Sequence, residues 1–151
     1  YRGEEYAMKL QYQRSVETFA LPENLRFIAT MNTADRSIRS VDAAIRRRFS
    51  VFELSPNPEV LQRYYDTAGN HCEFEGLVAG FATLNAQLEA DIDRHHTVGH
   101  TFFMRSVLTR ERMQTIWLRQ IVPLLDEYFF DASERVAEYR LNDLWPDANL
   151  G

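Results

Sequence analysis

The sequence predicts a mixed chain, a short α/β portion followed by an α-helical half. Three observations predict it. The apolar runs Leu25–Thr30 and Phe49–Leu54 read as strands on either side of a helical stretch. Ser55-Pro56-Asn57-Pro58 then stops the chain and starts a helix, with Asn57 as N-cap and Pro58 at the first helical position. Beyond it, apolar residues recur at helical spacing from Phe74 to Ile92 and from Met113 to Phe129. The predicted boundary falls between residues 55 and 56, giving portions 1–55 and 56–151.

Taken in order, Ala7–Tyr12 and Glu17–Leu21, with polar residues between them, read as a β-hairpin. The strand Leu25–Thr30 delivers a polar cluster, Asn32, Thr33, Asp35, Arg36 and Ser37, to the end of a strand, where open α/β sheets place ligands. A helix follows, with Ser40 as N-cap, Asp42 in its first turn and Val41, Ala44 and Ile45 on one face. It ends in Arg46-Arg47-Arg48, and adjacent cations cannot all face one partner. The helix begun at Pro58 carries Val60, Leu61, Tyr64 and Tyr65 and ends near Gly69. A second helix spans Glu73 to about Asp93, and the longest runs from Arg110 to Phe130 with Thr109 as cap. Pro123 should kink or break that helix. A last helix starts at Ser133 and places Val136, Tyr139 and Leu144 on one side, before Pro146 ends order.

Met31-Asn32-Thr33-Ala34-Asp35-Arg36-Ser37 followed by Val41-Asp42-Ala43-Ala44-Ile45-Arg46-Arg47-Arg48-Phe49 resembles the second half of the AAA+ module in the McrB family. Weaker likeness continues through Val98–Phe103 and Pro123–Phe130. The resemblance implies the C-terminal part of a AAA+ P-loop NTPase module, a sheet remnant with its β-hairpin followed by an α-helical lid. In that family the motor hydrolyses GTP and works with a nuclease to cut modified DNA. By the same likeness Asn32 would be the sensor-1 residue, Asp35 and Arg36 the charged pair of the signature, and Arg47 and Arg48 the finger candidates. Gly99 and His100 would lie where the lid meets the nucleotide, His100 beside the base or a phosphate. The usual sensor-2 arginine is not evident. Implied cofactors are GTP or ATP with Mg2+, and implied partners are identical subunits in a ring and a McrC-like endonuclease subunit, with DNA held by other parts of the complex.

A P-loop needs G-x-x-x-x-G-K-[ST], but the single lysine, Lys9, follows Met8 rather than glycine. Ile121–Glu127 imitates a Walker-B strand, yet Trp117, Ile121, Leu124, Leu125 and Tyr128 repeat at helical spacing, so a helix with Asp126 and Glu127 outward is predicted instead. The chain alone is therefore expected to hydrolyse neither GTP nor ATP. An unpaired edge at Leu25–Thr30 would favour self-association.

The 45% hydrophobic and 13% aromatic residues predict a folded domain rather than a disordered chain. A lone cysteine, Cys72, excludes an internal disulfide framework and fits a reducing, cytoplasmic compartment. No apolar run has membrane-spanning length. His96 and His100 stand four apart with Asp93 nearby, but Gly99 interrupts a regular helix and no zincin glutamate is present, so no metal is expected. The net charge is −5, although Arg26, Arg36, Arg39, Arg46, Arg47 and Arg48 crowd together. With no aromatic residues interleaved from Arg36 to Arg48 to stack bases, phosphate recognition explains the cluster better than DNA binding does. The alternatives are a non-catalytic DNA-binding or interaction module, and another AAA+ ATPase of MoxR-like or dynein-related type.

Overall fold

A computed structural model describes residue 7 and residues 19–31 and 47–148. The chain divides into two compact units, Tyr1–Ile38 and Arg39–Gly151. Almost all of the expected hairpin and the helix ending at Arg46 lie outside the described residues.

In the first unit, the Leu25 amide donates to the Pro22 carbonyl at 3.2 Å, closing a turn. The Arg26 guanidinium donates to the Glu23 carbonyl at 2.9 Å. The predicted strand over Leu25–Thr30 is not formed, and Ile28 is 97% exposed. The same correction applies to Phe49–Leu54 in the second unit, which is irregular with Phe52 84% and Leu54 95% exposed. A strand exists only through ladder hydrogen bonds to a neighbour, and apolar sequence alone supplies none.

The second unit is helical. Helix α1, Pro58–Asp66, begins as the sequence predicts. The Asn57 side chain accepts from the Glu59 amide at 2.7 Å and the Val60 amide at 3.3 Å, satisfying first-turn donors that have no partner within the helix. Pro58 has no N–H to satisfy and its fixed φ suits the first turn. Leu61 is fully buried. Strand β1, His71–Cys72, pairs in parallel with β2, Val107–Leu108, a contact between distant segments that periodicity does not signal.

This pairing shortens the second helix. The His71 amide donates to Ser106 and the Glu73 amide to Leu108, so backbone expected to be helical is committed to β2. Gly76 then turns the chain at φ +73°, a left-handed conformation natural to glycine, and α2 runs Leu77–Asp91. Leu77, Phe81, Leu84 and Leu88 form its buried stripe. Gly80 is required by packing, because a Cβ there would meet the Leu144 carbonyl and Cε2 of Trp145, each at 2.5 Å.

Helix α3, Arg110–Ile116, is capped by the Thr109 hydroxyl, which accepts from the Arg112 amide at 3.1 Å. Trp117–Ile121 is wound as a π-helix, and α4 continues from Val122 to Tyr128. The expected disturbance at Pro123 thus takes the form of a widened turn just before it. Proline lacks the N–H for a bond four residues back and crowds that carbonyl, and a wider turn relieves both. Leu125 is buried, whereas Asp126 and Glu127 are exposed, in keeping with a helix and not a Walker-B strand.

The predicted last helix is instead a 3₁₀ segment, Ser133–Glu138, followed by the short α5, Leu141–Leu144. Tyr139 stands between them, its hydroxyl donating to Asp91 at 2.6 Å, while Arg135 pairs with the same carboxylate at 2.7 Å. Pro146 does not end the ordered chain. Pro146–Ala148 forms a further 3₁₀ turn with Ala148 buried. Trp145, 1% exposed, donates from Nε1 to the Leu77 carbonyl at 3.0 Å and packs beside Phe103 and Trp117. The core therefore closes α2 against the end of the chain.

Candidate functional site

Of the residues singled out in the sequence, Asn32, Asp35 and Arg36 lie outside the described residues. Arg47 and Arg48 are exposed in a turn that leads through the irregular residues 50–56 to Asn57. Gly99 and His100 lie on the loop between α2 and β2, and this loop is built with unusual completeness.

Its first part is a turn around Asp93. One carboxylate oxygen accepts from the His95 amide at 2.7 Å, the His96 amide at 3.2 Å and the His96 ring Nδ1 at 2.8 Å. Burial alone would raise the Asp93 carboxyl, but the His96 ring and these amides outweigh it and hold it below the usual carboxylate range. The His96 ring is buried and meets Tyr128 of α4 edge-on, with centroids 5.0 Å apart. The Tyr128 hydroxyl donates to the Thr97 carbonyl at 3.1 Å. Burial raises the Tyr128 phenol, keeping it a donor.

Asn85, on α2, grips the next residue at both ends. Its Oδ1 accepts from the Val98 amide at 2.6 Å, and its Nδ2 donates to the Val98 carbonyl at 3.1 Å. Gly99 and His100 come directly after, and His100–Phe102 forms a 3₁₀ turn. The Asn57 amide donates to Nδ1 of His100 at 3.3 Å, which leaves the proton of the neutral ring on Nε2. His100 is thus set beside the N-terminus of α1. The Tyr65 hydroxyl of α1 donates to the Phe103 carbonyl at 2.7 Å, and burial pushes its pKa to about 12 despite the Arg105 backbone bond. On the exposed side of the same loop, Arg94 lies 3.7 Å from Glu53, a pair of the kind that contributes about 0–1 kcal/mol.

Gly99 is extended, at φ −67° and ψ 142°, and a Cβ would meet only Thr101 Oγ1 at 3.6 Å. Nothing in the described part of the chain requires glycine there. His96 and His100 each spend Nδ1 on a separate partner, Asp93 and Asn57. Among the described residues no group of three His, Cys, Asp or Glu side chains could hold a metal ion. Cys72 is half-buried, points its thiol at the Phe74 carbonyl at 3.3 Å, and is pushed upward in pKa by burial. That does not describe an activated nucleophile. No helix among the described residues is long and apolar enough to cross a membrane.

The helical part has a recognisable relation. Residues 76–137 match the family described as McrB, alpha-helical lid domain, which takes in α2, the anchored loop, β2, α3 and α4. Over 142 residues, 86% of this chain, the sequence is 34% identical to the type IV methyl-directed restriction enzyme EcoKMcrB subunit of Escherichia coli (strain K12). The chain spans 31% of that relative's length. It is a McrB-type chain that carries the α-helical lid of the family.

Sequence reasoning did not single out Asn85, Asn57 or Tyr128 as partners of the loop. For Asn85 a signal was present, a carboxamide one position after buried Leu84 on an otherwise apolar stripe. Asn57 was read only as a cap and Tyr128 only as core, because partners 43 and 31 residues away leave no local trace.

Proposed function

We propose that this chain serves in a McrB-like restriction subunit as the last portion of a AAA+ GTPase module, with the lid closing over nucleotide. In this reading residues 1–55 belong to the αβα core and 56–151 to the lid. Asn32 holds the attacking water or γ-phosphate as sensor 1, with Asp35 and Arg36 as the charged pair beside it. Arg47 and Arg48 reach the nucleotide of a neighbouring subunit in a ring. Positive charge supplied there stabilises the loose, charge-spread transition state of phosphoryl transfer, and the guanidinium suits phosphate through paired donors. The P-loop and Mg2+ ligands come from elsewhere in the protein. GTP is favoured over ATP by family likeness alone. A McrC-like endonuclease subunit is the proposed nuclease partner, and DNA is engaged by other parts of the complex.

The observation that carries this reading is the joining of the MNTADRS and VDAAIRRRF motifs to a McrB lid in one chain. The site supports it in detail. His100 is fixed at Nδ1 by the Asn57 amide, which leaves Nε2–H as a donor suited to a phosphate or base oxygen.

Mixed rings test the assignment. In the assembled protein Arg48→Ala should lower kcat by about a thousandfold, as loss of an arginine finger does. Mixing Asn32→Ala subunits with Arg48→Ala subunits should restore part of the turnover, because some interfaces then carry neither lesion. Failure to recover at every ratio, with mixed rings demonstrated, would remove the assignment of Arg48 to a neighbour's site.

A further inference from the structure

We propose that Asn85 is the positioning residue of the lid, the side chain that fixes Gly99-His100 against the N-terminus of α1. The inference rests on the reading of that loop as nucleotide-facing.

The argument begins with what a carboxamide alone can do. Asn85 meets both polar groups of one peptide segment, accepting from the Val98 N–H at 2.6 Å and donating to the Val98 C=O at 3.1 Å. Its second amide hydrogen serves the Phe81 carbonyl at 3.2 Å, one turn back on α2. The donor and acceptor roles of both Val98 groups are set by the backbone, so they dictate which end of the amide is oxygen. The side chain thereby bonds both backbone groups of Val98, as a neighbouring strand would, and ties this fully buried residue to α2. A carboxylate could accept but not donate, and an aliphatic residue could do neither.

Holding Val98 sets the course of the backbone beyond it. The next residue is Gly99, which has no side chain to anchor it, and then His100, whose ring is held through the Asn57 amide. The other anchors, Asp93 on His95 and His96 and Tyr128 on Thr97, act upstream of Val98. Asn85 is therefore the last rigid point before the residues that would face a ligand. It sits in the middle of α2, whose neighbours Leu84 and Leu88 are fully buried, so the point it defines is referred to the core of the lid.

Two measurements test this. The first is 15N NMR of the His100 ring in this chain. The unaltered chain should show His100 with Nδ1 unprotonated and the proton on Nε2. Asn85→Ala should mix the two tautomers, and Asn85→Asp, which keeps the acceptor for Val98 and loses the donor, should do so to a smaller degree. Tyr139→Phe, which removes a bond to Asp91 elsewhere in the lid, should leave the tautomer unchanged. An Asn85→Ala chain with His100 as in the parent would overturn the proposal, as would an equal change from Tyr139→Phe. The second is turnover in the assembled protein. Asn85→Ala should raise the KM for GTP severalfold with kcat within twofold, and adding it to His100→Ala should produce no further rise. Additive effects would overturn the positioning role. A relaxed tautomer together with a normal KM in the His100→Ala protein would keep Asn85 as the anchor and overturn the nucleotide reading instead.

Discussion

Phe49–Leu54 and Leu77–Asp91 are both rich in large apolar residues, and they meet opposite fates. In the first, Val51 is 69%, Phe52 84% and Leu54 95% exposed. In the second, Phe81, Leu84 and Leu88 are wholly buried. The difference lies in the backbone. A helix satisfies its own N–H and C=O groups, so α2 needs only an apolar neighbour for one face, and α1 together with the Trp145 region supplies it. An extended segment needs a second backbone as well, and without one its apolar side chains have no surface to form. The same residue types are therefore core in one place and uncovered surface in the other.

The largest test of the buried side of this contrast is Trp145→Ala. Trp145 lies against Phe103 at 5.5 Å and Trp117 at 6.0 Å, and its Nε1–H is spent on the Leu77 carbonyl. Truncation removes a large apolar body and leaves a cavity, so urea denaturation should show a loss of about 3–5 kcal/mol. A loss below about 1 kcal/mol, within what a surface change costs, would mean that the end of the chain does not close α2.

Gly80→Ala is smaller and its sign is the informative part. In a solvent-facing helix interior the change would gain about 1 kcal/mol. Here the new methyl would collide with the Trp145 ring and the Leu144 carbonyl. Overpacking of this kind costs about 1–3 kcal/mol, and the obstacle includes backbone, which yields less readily than a side-chain tip. A lower Tm than the parent is expected, and a higher one would show that α2 and α5 separate easily.

These contacts also mark where sequence reading stops. The caps at Asn57 and Thr109 were legible because a cap needs only residues two or three positions apart. The stripe of α2 was legible because helical periodicity is local. The helical character of Ile121–Glu127 was legible for the same reason. The β1–β2 pair was not, since it joins residues 36 apart with two residues a side. Nor was the start of α2, which depends on that pair, nor the need for glycine at 80, which arises from a tryptophan distant in sequence. In the candidate site, Gly99 and His100 were singled out through family likeness, and the side chains that hold their loop were not singled out at all. Asn85, Asn57 and Tyr128 reach the loop from three separate elements, and only the fold brings them to it.

The exposed side of the contrast has the smallest expected effect and the sharpest consequence. In this chain the pair Phe52→Ser and Leu54→Ser removes side chains that are already almost entirely in water. Stability should change by no more than about 0.5 kcal/mol, the range of surface substitutions away from structural features. If the segment is the last strand of a AAA+ core, as proposed, the missing neighbour backbone is supplied by the rest of the protein. The same two side chains would then be packed, and the double substitution should cost about 2–5 kcal/mol, the range for emptying buried aliphatic and aromatic sites. Denaturation of both proteins, with and without the pair, measures the difference directly. Equal effects in the two would remove the proposed strand: if both were near zero, Phe49–Leu54 would be surface in the whole protein too, and if both were large, its side chains would already be packed in this chain.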